Sequence, residues 1–108
     1  MKKFANKDKL KYLISQFTKG ILDQKKPKGM CFAVSCALSG YLNFLGYRNT
    51  VVEGEIDLDG TGAYQHYWLR YGFQIIDPTA NQFKKPNGSR MPKIYVGKKP
   101  EWYKEPNA

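Results

Sequence analysis

Residues 64–79 read Tyr64-Gln65-His66-Tyr67-Trp68-Leu69-Arg70-Tyr71-Gly72-Phe73-Gln74-Ile75-Ile76-Asp77-Pro78-Thr79, and this stretch decides the fold. Aromatic and β-branched residues fill both halves, and Pro78 closes the second. The run predicts two strands, Tyr64 to Arg70 and Phe73 to Ile76, parted by Tyr71-Gly72. With Tyr71-Gly72 as a two-residue hairpin turn, Arg70 faces Phe73, Trp68 faces Ile75 and His66 faces Asp77. Directly opposed side chains share a sheet face, with Cβ atoms about 4.5–5.5 Å apart. A four-residue loop would keep this pairing and a three-residue loop would break it. The hairpin thus predicts an imidazole beside a carboxylate.

Upstream, Thr50 to Ile56 reads as a further strand, and Asp57-Leu58-Asp59-Gly60-Thr61-Gly62 as the turn that joins it to the hairpin. Met30 to Leu45 is apolar or small almost throughout. It is too long for an ordinary strand, and as a helix apolar nearly all round it is expected to be buried. Gly46 is a natural C-terminal stop, and Gly40 is expected to admit a close neighbour. Before this helix, Lys7 to Lys19 predicts an amphipathic helix with Leu10, Leu13, Ile14 and Phe17 on one face and Gly20 beyond its end. Residues 23–29 form a Lys-, Pro- and Gly-marked loop. Downstream of Asp77-Pro78 comes a Pro/Gly/Asn-rich loop that includes Asn81, Gln82 and Phe83, expected to pack or cap it. A short strand follows around Ile94-Tyr95-Val96, and Trp102 and Tyr103 are expected to pin the tail. Two helices followed by antiparallel strands make an α+β domain, a single one over residues 1–108.

The formal charge of +9 is unevenly spread. Residues 1–28 hold nine Lys against Asp8 and Asp23, residues 29–83 hold two Arg against five acids, and residues 84–108 hold seven bases against two acids. Basic flanks therefore bracket an acidic middle. The lysines lack the aromatic interleaving and the helix-turn-helix or RNA-binding signature of a nucleic-acid binder, so nucleic acid is not the favoured partner. A solvated basic surface, or attraction to an acidic protein, fits the flanks at least as well. No apolar run approaches the roughly 20 residues of a membrane span. The basic start is not followed by the apolar core of a signal peptide, so the expected location is cytoplasmic. With one His and no CxxC, no metal site or cofactor is expected.

Two cysteines remain. Cys31 and Cys36 are five apart on the second predicted helix and point in different directions, so both are read as free thiols. Cys31 stands at the helix start, where the helix dipole and free N–H groups stabilise a thiolate, with Lys25, Lys26 and Lys28 nearby. Cys36 lies a turn inside, where a thiol behaves as a small hydrophobe. A nucleophilic cysteine needs a base, and the base needs an orienting acceptor. His66 and Asp77 are the pair that the hairpin brings together. Trp68, on the same predicted face, is a supporting neighbour.

These residues also carry a resemblance. Gly29-Met30-Cys31, with Ser35 and a long apolar helix, resembles the nucleophile segment of papain-like and transglutaminase-like proteins. His66-Tyr67-Trp68 and Ile76-Asp77-Pro78-Thr79 resemble the HxW and DPT segments of the transglutaminase-like core. The likeness covers residues 29–83. It implies a papain-like fold in which Cys31 is the nucleophile, His66 the general base and acid, and Asp77 the orienting carboxylate. The oxyanion would be held by the Cys31 N–H and a second donor. Papain-type enzymes carry a Gln six residues before the Cys. Lys25 stands there in this chain, with Gln24 one residue further away as the candidate. Phe32 stands where Trp commonly follows the nucleophile. The expected activity is thiol-dependent amide cleavage or acyl transfer on a protein or peptide amide, of protease, deamidase or transglutaminase type. The rival reading is an inactive binding module on the same scaffold, its basic flanks engaging an acidic protein or nucleic acid.

Overall fold

The computed structural model describes residues 7–22, 31–57, 64–80, 88–89 and 91–105. Helix α1 spans Lys7–Leu22 and helix α2 spans Cys31–Phe44. Five strands follow: β1 Thr50–Ile56, β2 Tyr64–Tyr71, β3 Gln74–Asp77, β4 Tyr95–Gly97 and β5 Tyr103–Lys104. They form one antiparallel sheet in the order β4-β3-β2-β1-β5. The chain is an α+β protein. Among the described residues no helix is long and apolar enough to cross a membrane.

The sheet carries a core on each face. On one, Leu69 of β2, Ile76 of β3 and Val96 of β4 pack against Leu10 and Ile14 of α1 and Leu38 and Leu42 of α2. Alternation along the strands sends Val52, Ile56, Trp68 and Ile75 to the other face, where Ala80, Met91 and Tyr103 cover them. The Phe17 and Tyr41 rings stack at 4.7 Å between the two helices. At the end of α2 the N–H of Tyr47 bonds the Leu42 carbonyl at 2.8 Å and that of Gly46 bonds the Asn43 carbonyl at 3.0 Å. With Gly46 at φ 96° this is a Schellman stop, as the glycine predicts.

Several expectations need correction. α1 runs on to Leu22, past Gly20; one glycine costs a helix only about 1 kcal/mol, too little by itself to end it. The helix from Cys31 is not buried all round. Val34, Leu38 and Leu42 are fully covered, while Phe32, Ala33, Cys36, Ala37, Gly40 and Phe44 face outward. An uncharged sequence shows that a helix can be buried, but only the number of layers packed around it decides whether both faces are. Gly40 accordingly has open space where a Cβ would stand, and the close approach falls at Gly54 instead. A Cβ there would collide with the Trp68 ring and come within 2.5 Å of the Lys104 carbonyl oxygen.

The hairpin is the third correction. The observed partners are Leu69 with Ile76, Arg70 with Ile75 and Tyr71 with Gln74, so the turn is Gly72-Phe73, one residue later than predicted. Gly72 takes φ 62°. Glycine at the first loop position gives the primed turn that suits strand twist, whereas Tyr71-Gly72 would put tyrosine there. Phe73 leaves the strand and is fully exposed. The short strand around residue 95 is present, but β5, which pairs Ile56 with Tyr103, was not anticipated as a strand.

Candidate active site

The register slips by two residues from the one predicted, and a slip of two keeps every side chain on its face. His66 and Asp77 therefore still share a face, as diagonal rather than direct neighbours, a separation long side chains can bridge. The contact is made: His66 Nε2 lies 2.7 Å from Asp77 Oδ2, with both side chains fully buried. A histidine faces a glycine on its other side, since Gly54 pairs with His66 across β1.

Asp77 is held from several directions. Its Oδ1 accepts the Thr79 N–H at 3.0 Å and the Thr79 hydroxyl at 3.4 Å. This is the loop-capping role ordinary for an Asp that opens a turn. Its Oδ2 accepts the Tyr103 hydroxyl at 2.6 Å as well as bonding His66. One carboxylate thus caps its own turn with one oxygen and aims an imidazole with the other. Tyr103 is itself buried, and its pKa is pushed far above the usual tyrosine range, chiefly by burial and then by the Asp77 charge. It is a permanent hydrogen-bond donor.

Trp68 lies beside the pair. It is fully buried, its ring 6.0 Å from that of His66 and edge-on to Tyr103 at 5.1 Å. It walls the pair in and packs the core.

Cys31 is the first residue of α2, as predicted. Its side chain lies outside the described residues, as do Gln24, Lys25, Lys26, Lys28, Gly29 and the loop residues Asn81, Gln82 and Phe83. The first turns of α2 reach β2 at the residue after His66: Ser35 Oγ donates to the Tyr67 carbonyl at 3.3 Å, and the Phe32 ring meets the Tyr67 ring at 4.8 Å. The chain neighbours of Cys31 and His66 are therefore in contact. His66 itself points to the opposite face of the sheet from the main body of α2.

Cys36 overturns its expected burial. It is a free, exposed thiol, because it sits on the outward face of α2. Among the described residues no three His, Cys, Asp or Glu side chains gather as a metal ion would require. An open hollow of about 590 Å³ lies at the hairpin end, lined by Asn43, Arg48, Asn49, Thr50, Arg70 and Gly72. It is four residues along β2 from His66, roughly 13 Å. Its amides bond one another and Arg70 pairs with Glu105. No family model, curated protein or solved structure matches the chain.

Tyr103 is the site residue that sequence reasoning missed. Its apolar ring in a charged tail signalled an anchor, but nothing local could say that the anchor lands on Asp77.

Proposed function

We propose that this chain is a thiol-dependent amide-cleaving or acyl-transfer enzyme of papain-like, transglutaminase-like kind, with Cys31, His66 and Asp77 as its triad. The observation that carries the reading is the fully buried His66–Asp77 pair. A buried imidazole bonded through Nε2 to a carboxylate is oriented and ready to stabilise its own cation. Support also comes from Cys31 at the helix start, where N–H groups and the dipole favour a thiolate, and from the Phe32–Tyr67 contact beside both residues.

In this mechanism the Cys31 thiolate attacks the amide carbonyl, and the oxyanion rests on the Cys31 N–H with Gln24 as the candidate second donor. The amide C–N bond breaks as His66, through Nδ1, gives its proton to the leaving amine, which leaves a thioester on Cys31. Water then regenerates the thiol in a protease or deamidase, or an amine does so in a transglutaminase, with His66 taking the incoming proton. The basic flanks favour an acidic protein or peptide as substrate.

The exposed Cys36 supplies an internal reference for the test. At pH 6–7, iodoacetamide should label Cys31 well before Cys36, and His66→Ala should remove the difference. An ordinary thiol, which titrates near about pH 8.5, reacts slowly there. Equal and slow labelling of both cysteines in the native protein would overturn the enzymatic reading and leave a binding module.

A further inference from the structure

We infer that Tyr103, delivered by the C-terminal strand β5, is a positioning residue for His66, acting through Asp77. Its hydroxyl and His66 Nε2 converge on one oxygen, Asp77 Oδ2, at 2.6 and 2.7 Å. With Thr79 holding Oδ1, the carboxylate is restrained at both oxygens, so neither rotation of its plane nor exchange of its oxygens is free. The Tyr103 ring also lies 6.3 Å from the imidazole and braces it from the side, while Trp68 braces Tyr103. Among the described residues the hydroxyl's hydrogen bond is to Asp77. Buried tyrosines need a partner for the O–H, and this one has been given the partner of the histidine.

The strand that carries Tyr103 is built to hold it. Ile56 pairs with Tyr103 and Glu55 with Lys104, the Asp57 N–H bonds the Trp102 carbonyl at 2.9 Å, and Lys99 Nζ donates to the Tyr103 carbonyl at 2.8 Å. Gly54 opposite His66 leaves the room through which this strand and Trp68 close in. Among the described residues, the ionisable side chains shown against the imidazole are Asp77 of β3 and Tyr103 of β5, with Tyr95 of β4 close enough to act on Tyr103. The tail is therefore part of the site and not only a lid on the core.

The link rests on the His66–Asp77–Tyr103 geometry, and only its consequence at Cys31 rests on the enzymatic reading. Because His66 is the sole histidine, its imidazole N–H resonance is assigned without ambiguity by proton NMR. In Tyr103→Phe, which keeps the ring, that resonance should shift and its proton should exchange with water about tenfold faster. Tenfold is what one hydrogen bond of about 1.4 kcal/mol carries in an equilibrium. A mere packing residue would leave both unchanged when only its oxygen is removed, and unchanged values would overturn the inference whatever Cys31 does. Cys31 labelling, followed with Cys36→Ala, should slow in the same variant. If the His66 signal moves while Cys31 is slow in the native protein as well, the positioning role stands and the enzymatic reading falls. Should Tyr103→Phe fail to fold, the native protein decides: the Tyr103 hydroxyl proton and the His66 N–H proton must show a mutual cross-peak. Its absence would overturn the inference.

Discussion

Asp77 shows at the scale of one residue how a single side chain can cap its own turn and hold an imidazole. Four donor contacts converge on its two oxygens. With its oxygen kept on the Thr79 donors, Asp77→Asn turns its amide N–H₂ toward Tyr103 and His66, so the buried hydroxyl hydrogen loses its acceptor and the imidazole is forced into the Nδ1–H tautomer. The variant should lose about 1–3 kcal/mol of stability, the cost of an unsatisfied buried group, as read by urea unfolding. A loss below about 0.5 kcal/mol, the range of ordinary surface substitutions, would contradict the hydrogen bonds described. Tyr103 has a pH signature of its own. Its folded-state pKa lies above its unfolded value, so the folded protein keeps a proton that the unfolded chain gives up above about pH 10. The stability from this group is complete below that pH and falls as pH rises further, by up to about 1.4 kcal/mol per pH unit. Tyr103→Phe should be less stable at pH 7 but should show a flatter decline between pH 10 and 11 than the native protein. Parallel declines would mean the hydroxyl is not buried.

At the scale of elements, α2 and β5 correct simple pattern reading in opposite directions. α2 is uncharged throughout and still leaves one side open, because only the side that carries Val34, Ser35, Leu38, Ser39 and Leu42 is covered. Cys36→Ala should thus change stability by less than about 0.5 kcal/mol, whereas Leu38→Ala should cost about 2–5 kcal/mol. Similar losses in thermal unfolding for the two would show that both faces are packed. β5 is only two residues long, yet it seats a fully covered ring. Its approach depends on Gly54, where any side chain meets Trp68 and the Lys104 backbone. Gly54→Ala should cost about 1–3 kcal/mol through overpacking and should displace β5, visible as faster amide exchange at Asp57. Unchanged exchange there would mean that Trp68 alone gives way.

For the whole molecule, the His66–Asp77–Tyr103 cluster is assembled from three strands, of which β5 lies far from the other two in sequence. Asp77 and Tyr103 are separated by 26 residues, and Arg70 meets Glu105 across 35. Ending the chain after Pro100 should therefore remove more than a tail. It takes away Tyr103 and the β1 edge pairing together, and should cost at least about 3 kcal/mol, the scale of deleting a large buried aromatic. A truncated protein that melts like the full chain would show that the second core closes without β5.

Much of this was legible in local sequence. The period of the apolar residues specified α1, the uncharged run specified α2, and the β-branched and aromatic stretches specified β1 and the hairpin strands, because local periodicity reports which face an element buries. The sharing of a face by His66 and Asp77 was legible too. Side chains alternate strictly along a strand, so a prediction of the turn that erred by one residue shifted the pairing by two and left the faces intact. What local sequence could not carry was anything set by a third layer or a distant strand: which side of α2 stays open, why Gly54 and not Gly40 admits a neighbour, and that Tyr103 closes on Asp77. Those depend on how chain segments separated by tens of residues come together, and a contact at such range leaves no period or motif in the residues that make it. The sequence by itself determined the elements and the faces of their side chains; the tertiary structure decided what covers each face, because coverage belongs to the packing of several elements at once.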